Sequence, residues 1–254
     1  IYTLSLHDAL PISLESAIAN AENNHDLDID ALVVLPFESE PLTAPVKAVK
    51  DAGKFVTVVD RGLSQEGIED LYVAGDNAAF GRVAGEYFKA NLKPGAKIVV
   101  LRGIPTTLDN ERVEAFQKAL EGSEVEILDM QHGNWNRDDA FKVMQDYLTR
   151  FKQIDAVWAA DDDMAVGVLK AIEQAKREDI KIVFGGAGAK GMIKTLIDGA
   201  DPRIQANVSY SPKFIYEAIK MTAEARLKGE ALPETTIVPS VLITKDNAKD
   251  FYFP

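Results

Sequence analysis

Ile154-Asp155-Ala156-Val157-Trp158-Ala159-Ala160-Asp161-Asp162-Asp163-Met164-Ala165-Val166-Gly167 decides the fold. An apolar run stops at three carboxylates, and an apolar helical pattern starts directly after them. Phe55-Val56-Thr57-Val58-Val59 runs into Asp60-Arg61-Gly62 in the same way. Short β-branched runs of this kind read as strands of a parallel sheet buried on both faces by helices. Ligands of open α/β sheets bind beyond the carboxyl ends of such strands. Polar groups placed there on two distant strands imply a cleft for a hydroxyl-rich molecule, and so binding more than chemistry.

Outward from these runs, strands and helices alternate. The strand pattern covers Ala31–Leu35, Phe55–Val59, Leu71–Ala74, Lys97–Leu101, Val125–Met130, Ala156–Ala159, Ile180–Phe184, Ile204–Ser209 and Val238–Thr244. Helical periodicity falls between them, at Leu14–Asn23, Thr43–Ala52, Asn77–Asn91, Asn110–Glu121, Arg137–Phe151, Asp163–Ala175, Lys190–Asp198 and Pro212–Lys228. Such alternation implies right-handed βαβ units and doubly wound sheets. One sheet would have to hold too many strands. The reading is therefore α/β with two similar Rossmann-like lobes joined by a hinge, the chain crossing near Gly75-Asp76 and Tyr210-Ser211-Pro212. Residues 14–75 with 211–239 form the first lobe, and residues 76–210 with 240–254 the second.

Composition narrows the function. Of 254 residues 46% are hydrophobic, enough for a packed core. The formal net charge of −12 repels phosphate backbones and anionic membranes, which argues against a nucleic-acid partner. With no cysteine, disulfides, thiolate metal sites and cysteine nucleophiles are excluded. No run reaches the roughly 18 apolar residues of a membrane span, so direct membrane insertion is not expected. Residues 1–13 stand apart: Ile1 to Ile12 looks, residue for residue, like the conceptual translation of a sequencing-library adapter. The segment is set aside from fold reasoning as an artefact.

The stretches Val58-Val59-Asp60-Arg61, Ala74-Gly75-Asp76-Asn77, Asn110-Glu111-Arg112-Val113-Glu114-Ala115-Phe116, Asn134-Trp135-Asn136-Arg137, Val143-Met144-Gln145 and Asp161-Asp162-Asp163-Met164-Ala165 recur in order along the chain. Together they resemble the periplasmic sugar-binding proteins of ABC importers, in the branch similar to ribose-binding protein. The resemblance implies a monomeric, extracytoplasmic or periplasmic receptor that closes its lobes on a monosaccharide or polyol. It further implies an importer permease as partner, no catalysis and no cofactor. That family opens with a strand, an aromatic loop, a helix and a second strand. None has a counterpart here, so the first lobe reads as incomplete.

Each site residue has a plainer reading beside the functional one. Asp60 and Arg61 are either a surface pair or, as the resemblance implies, an acceptor and a guanidinium fork facing the sugar. Arg112 is either a solvated helix residue or a donor to ring and hydroxyl oxygens. Trp135, in the polar loop Gly133-Asn134-Trp135-Asn136-Arg137, offers a flat apolar face for a sugar ring, whereas Trp158 belongs in the core. Of the three aspartates, one or two cap the following helix. Asp161 aligns with a ligand-contacting position where many relatives carry Asn. Tyr210 and Glu38 are further pocket candidates, Tyr210 as a hydroxyl beside the second crossing.

Two other functions compete. The effector-binding half of a lac-repressor-type regulator shares the fold. Gly186-Ala187-Gly188-Ala189-Lys190-Gly191 matches G-x-G-x-x-G, which suggests an NAD-dependent enzyme, but the strand Ile204–Ser209 lacks the acidic residue that motif requires. No metal cluster or triad emerges from His25 and His132, and no serine has a nucleophile-elbow context.

Overall fold

The computed structural model of the chain describes residues 30–252. The adapter-like segment, the helix expected at Leu14–Asn23 and His25 lie outside the described residues. In chain order the elements are β1 (Ala31–Val34), α1 (Ser39–Asp51), β2 (Phe55–Val59), β3 (Leu71–Gly75), α2 (Asn77–Asn91), β4 (Lys97–Arg102), α3 (Thr107–Leu120), β5 (Glu126–His132) and α4 (Arg137–Arg150). There follow β6 (Ala156–Ala159), α5 (Asp162–Ala175), β7 (Ile182–Phe184), α6 (Lys190–Asp198), β8 (Ala206–Val208), α7 (Lys213–Lys228), β9 (Thr235–Val238), β10 (Leu242–Thr244) and a 3-10 turn at Ala248–Phe251. Packing groups residues 30–75 with Pro212–Val238 in one unit, and Asp76–Ser211 with residues 239–252 in another.

In the first unit the four strands run parallel in the order β1-β2-β3-β9. Strand side chains alternate between faces. Val56 and Val58 therefore pack with Leu42, Val46 and Val49 of α1, while Thr57 points to α7. There its hydroxyl lies 2.7 Å from that of Thr222, which donates to the Ala218 carbonyl. The buried hydroxyl pair is thus satisfied, as burial demands.

The second unit holds a parallel sheet in the order β5-β4-β6-β7 and an antiparallel pair, β10-β8. The bridge Ala187–Ser209 links the loop after β7 to the end of β8. Trp158 is fully buried and stacks on Phe116 at 4.1 Å between ring centroids. Phe88 meets both Phe116 and Phe184 edge-on. Helices α2 and α3 approach closely because Gly81 and Gly85 face α3. A Cβ at Gly81 would lie 1.8 Å from the Arg112 carbonyl oxygen, and one at Gly85 2.7 Å from that of Phe116. This contact sets where Arg112 emerges.

Helix starts follow their caps. Asp76, Thr106, Asn136 and Asp161 accept from the amides of Ala79, Asp109, Asp138 and Met164 respectively, each worth about 1 kcal/mol. Thr106 is why α3 starts at Thr107 rather than at the expected Asn110. The expected single strand Val238–Thr244 is two strands, β9 and β10, in different units. Pro239, which lacks an N–H, separates them. Burial on both faces holds for the central strands, but β1 and β5, with one neighbour each in their sheets, are mostly half-buried.

Candidate functional site

In the first unit, Asp60 ends β2 with φ of 67°, a left-handed conformation uncommon for a residue with a side chain. Its N–H donates to the Val73 carbonyl at 2.9 Å and its carbonyl accepts from the Tyr72 hydroxyl at 2.7 Å. The adjacent β3 thus holds this backbone in place. Arg61 Nη1 donates to the carbonyls of Pro36 and Phe37 at 3.3 and 3.2 Å, and its guanidinium lies 5.5 Å from the Phe37 ring centroid. The side chains of Asp60 and Arg61 are 13% and 16% exposed. That burial rules out a solvated surface pair. Glu38 occupies the N-cap position of α1, makes no side-chain capping bond and is exposed.

In the second unit, Arg112 is 4% exposed, not a solvated helix residue. Burying a guanidinium is costly unless its hydrogen bonds and charge are met. Nε donates to Asn77 Oδ1 at 2.9 Å and Nη1 to the Ala160 carbonyl at 3.0 Å. The guanidinium carbon lies 4.0 Å from the Phe80 ring centroid, 4.6 Å from that of Tyr210 and 5.9 Å from that of Trp135. Cation–π contacts of this kind contribute about 0.5–2 kcal/mol each. Asp161 follows β6 and spends Oδ1 on the Met164 amide at 2.7 Å. Burial pushes its carboxyl up to about 6, a rise that the Met164 amide and the Arg112 charge oppose. Arg112, Asp161, Trp135 and Tyr210 therefore form one cluster at the carboxyl ends of the strands. Asn77 and Phe80, which complete it, carried no distinct sequence signal beyond Asn77's place in the Ala74–Asn77 stretch.

The three aspartates divide their work. Asp163 pairs with Arg137 at 2.6 Å on the surface. Asp162, 3% exposed, accepts from the Gly186 amide at 2.8 Å, the Ala189 amide at 2.6 Å and Asn207 Nδ2 at 2.7 Å. It joins the starts of α5 and α6 and the end of β8. Burial pushes its carboxyl up to about 7, with the three donors pulling the other way. The same bonds answer the dinucleotide reading. Amides of the Gly186–Gly191 loop that would cradle a phosphate already donate to the internal carboxyl of Asp162. Nor does Gly186 leave open space, since a Cβ there would lie 2.1 Å from the Phe80 ring.

Among the described residues no group of three or more His, Asp or Glu is placed to hold a metal ion. None of their helices is long and apolar enough to cross a membrane. A surface cavity of about 680 Å³ is lined by residues preceding β7 and β8, at the end of those strands away from Asp161 and Tyr210. Its arginines are already paired, Arg177 with Asp179 at 2.6 Å and Arg203 with Asp201 at 2.5 Å.

Parallel α/β units with polar groups beyond the carboxyl ends of their strands have the architecture of α/β proteins that bind ligands there. Comparison with known proteins specifies it further. The family model described as "Periplasmic binding protein domain" matches residues 13–231. The chain is 30% identical over 229 residues to the ribose import binding protein of Escherichia coli strain K12, covering 90% of this chain and 76% of that protein. It is 26% identical to the galactofuranose-binding protein of the same organism, over 87% of this chain and 72% of the relative. A Caulobacter myo-inositol binding protein bound to myo-inositol superposes with a TM-score of 0.81 at 26% identity, covering 93% and 81% of the two chains. This chain belongs to the periplasmic binding protein family.

Proposed function

We propose that this protein is an extracytoplasmic solute receptor that captures a monosaccharide or polyol and hands it to an ABC importer. The observation that carries the reading is the Arg112 cluster. It joins a fixed guanidinium, the carboxylate of Asp161, the hydroxyl of Tyr210 and the indole of Trp135 at the strand ends of one unit. Ring and hydroxyl oxygens accept from the guanidinium, hydroxyls donate to Asp161, and the indole supports the apolar face of a sugar ring. In the first unit Asp60 and Arg61 repeat the pairing of one carboxylate with one guanidinium. Relatives named for ribose, galactofuranose and myo-inositol support a small polyhydroxylated ligand. The role is binding without catalysis, by a monomer in the periplasm or its equivalent, with the importer's permease as partner.

The test is a thermal-shift panel of D-ribose, D-allose, D-galactose, D-fructose and myo-inositol. One of them should raise the melting temperature by mass action, by an amount that grows with its concentration. Its deoxy analogues should be much weaker, because a missing hydroxyl leaves buried partners unpaired. A panel with no shift for any member, or equal shifts for the deoxy analogues, would overturn the reading.

A further inference from the structure

From the packing beneath Trp135 we infer that Asp109 is a positioning residue for its indole, acting through the backbone of Gly103. The inference rests on the reading of Trp135 as the platform for the sugar ring. Trp135 and its neighbour Asn134 have φ of 49° and 58°, left-handed values that persist only where the surroundings enforce them. In this conformation the indole of Trp135 is seated on Gly103. A Cβ there would lie 2.0 Å from Trp135 Cε2 and 2.3 Å from Nε1, so the indole lies directly on bare backbone.

That backbone is held from two sides. The Gly103 N–H donates to Asp109 Oδ1 at 2.7 Å. The Gly103 carbonyl lies 2.6 Å from His132 Nδ1, and because a carbonyl can only accept, the proton sits on Nδ1. Asp109 is fully buried, and Arg102 holds its other oxygen through Nε at 2.9 Å and Nη2 at 2.7 Å. Charge-assisted bonds of this kind are short and strong. Asp109 and Arg112 stand three residues apart on α3, which puts them on one helix face. One helix thus supplies both the guanidinium facing the indole and the carboxylate bracing the surface beneath it. Sugar recognition requires none of the groups in this brace, yet the platform's position depends on them.

Fluorine NMR of the full chain labelled with 5-fluorotryptophan, in the absence of sugar, tests this directly. The chain has two tryptophans, Trp135 and Trp158, and Trp135→Phe assigns the two resonances by deleting one. In Asp109→Asn the Trp135 resonance should shift or split while that of Trp158 stays in place, and Gly103→Ala should do the same. A lower melting temperature with the Trp135 resonance unmoved, or both resonances displaced together, would overturn the inference. Should Asp109→Asn fail to fold, Arg102→Gln takes its place: it frees Oδ2 and should also move Trp135 alone, and an unmoved resonance refutes. The reading of Trp135 as the platform fails separately, if Trp135→Ala leaves every thermal shift of the sugar panel unchanged.

Discussion

Asp162→Asn should change how stability depends on pH while leaving the fold in place. The folded carboxyl is pushed up to about 7 by burial, against about 3.9 in an unfolded chain. Between those values the folded state holds more protons than the unfolded one, so stability rises as pH falls through 7 and the gain is complete below the unfolded value. At pH 7 the folded carboxyl is already half-protonated, so from pH 7 to pH 5 the gain is somewhat less than two pH units at about 1.4 kcal/mol each, or roughly 2 kcal/mol. Asp161, raised to about 6, adds roughly 1 kcal/mol by pH 5 on the same reasoning. Carboxyls held low by partners, such as Asp179 beside Arg177 and Asp201 beside Arg203, act in the opposite sense, losing their stabilisation only as pH falls through their depressed values. The wild type should therefore be most stable near pH 5 rather than near neutrality. Asparagine cannot titrate, so Asp162→Asn should lose most of this slope. In its geometry the amide oxygen keeps the Gly186 and Asn207 bonds and the amide nitrogen meets the Ala189 N–H, a contact about 1–3 kcal/mol worse than the present one. Urea unfolding followed by circular dichroism at pH 5, 6, 7 and 8 measures both curves. A wild type whose stability falls steadily from pH 8 to 5, or a variant with an unchanged slope, would refute the reasoning.

Two further substitutions probe the frame of the site. Gly81→Ala drives a methyl into the Arg112 carbonyl and should cost about 1–3 kcal/mol by overpacking; because the collision is at Arg112 itself, sugar binding should weaken too, which calorimetry on the folded variant would detect. Arg61→Lys keeps the charge but loses the planar fork that reaches the Pro36 and Phe37 carbonyls, so sugar affinity should fall about tenfold or more with little change in melting temperature.

Elements whose limits depend on neighbouring residues were legible in the sequence. The limits of α2, α6 and β6 match their apolar periodicity, and the Asp161 cap follows from a carboxylate standing before a helical pattern. The start of α1 was not legible, because Pro41 and Pro45 mask a helix that begins at Ser39. Nor was the break between β9 and β10, where the chain changes unit inside one apolar run. The site was partly legible. Asp60, Arg61, Arg112, Trp135, Asp161 and Tyr210 stand out by their position after strands or by resemblance to the family. Arg112 owes its burial to Asn77 and Ala160, 35 and 48 residues away. Asp162 is distinguished from its neighbours by Gly186 and Asn207, 24 and 45 residues away. Contacts at such range leave no local pattern, and neither does the bracing of Gly103 by Asp109.

Isothermal titration of the wild type, Asp60→Ala and Asp161→Ala with whichever panel sugar stabilises the protein is the most direct test of the proposal that carboxylates at the strand ends bind a sugar. The account predicts one sugar per chain for the wild type. It also predicts affinity reduced about ten- to a hundredfold in each variant, as expected when a charge-assisted bond to a carboxylate is lost, about 1.5–3 kcal/mol. Wild-type affinity in either variant, with the fold intact, would contradict it.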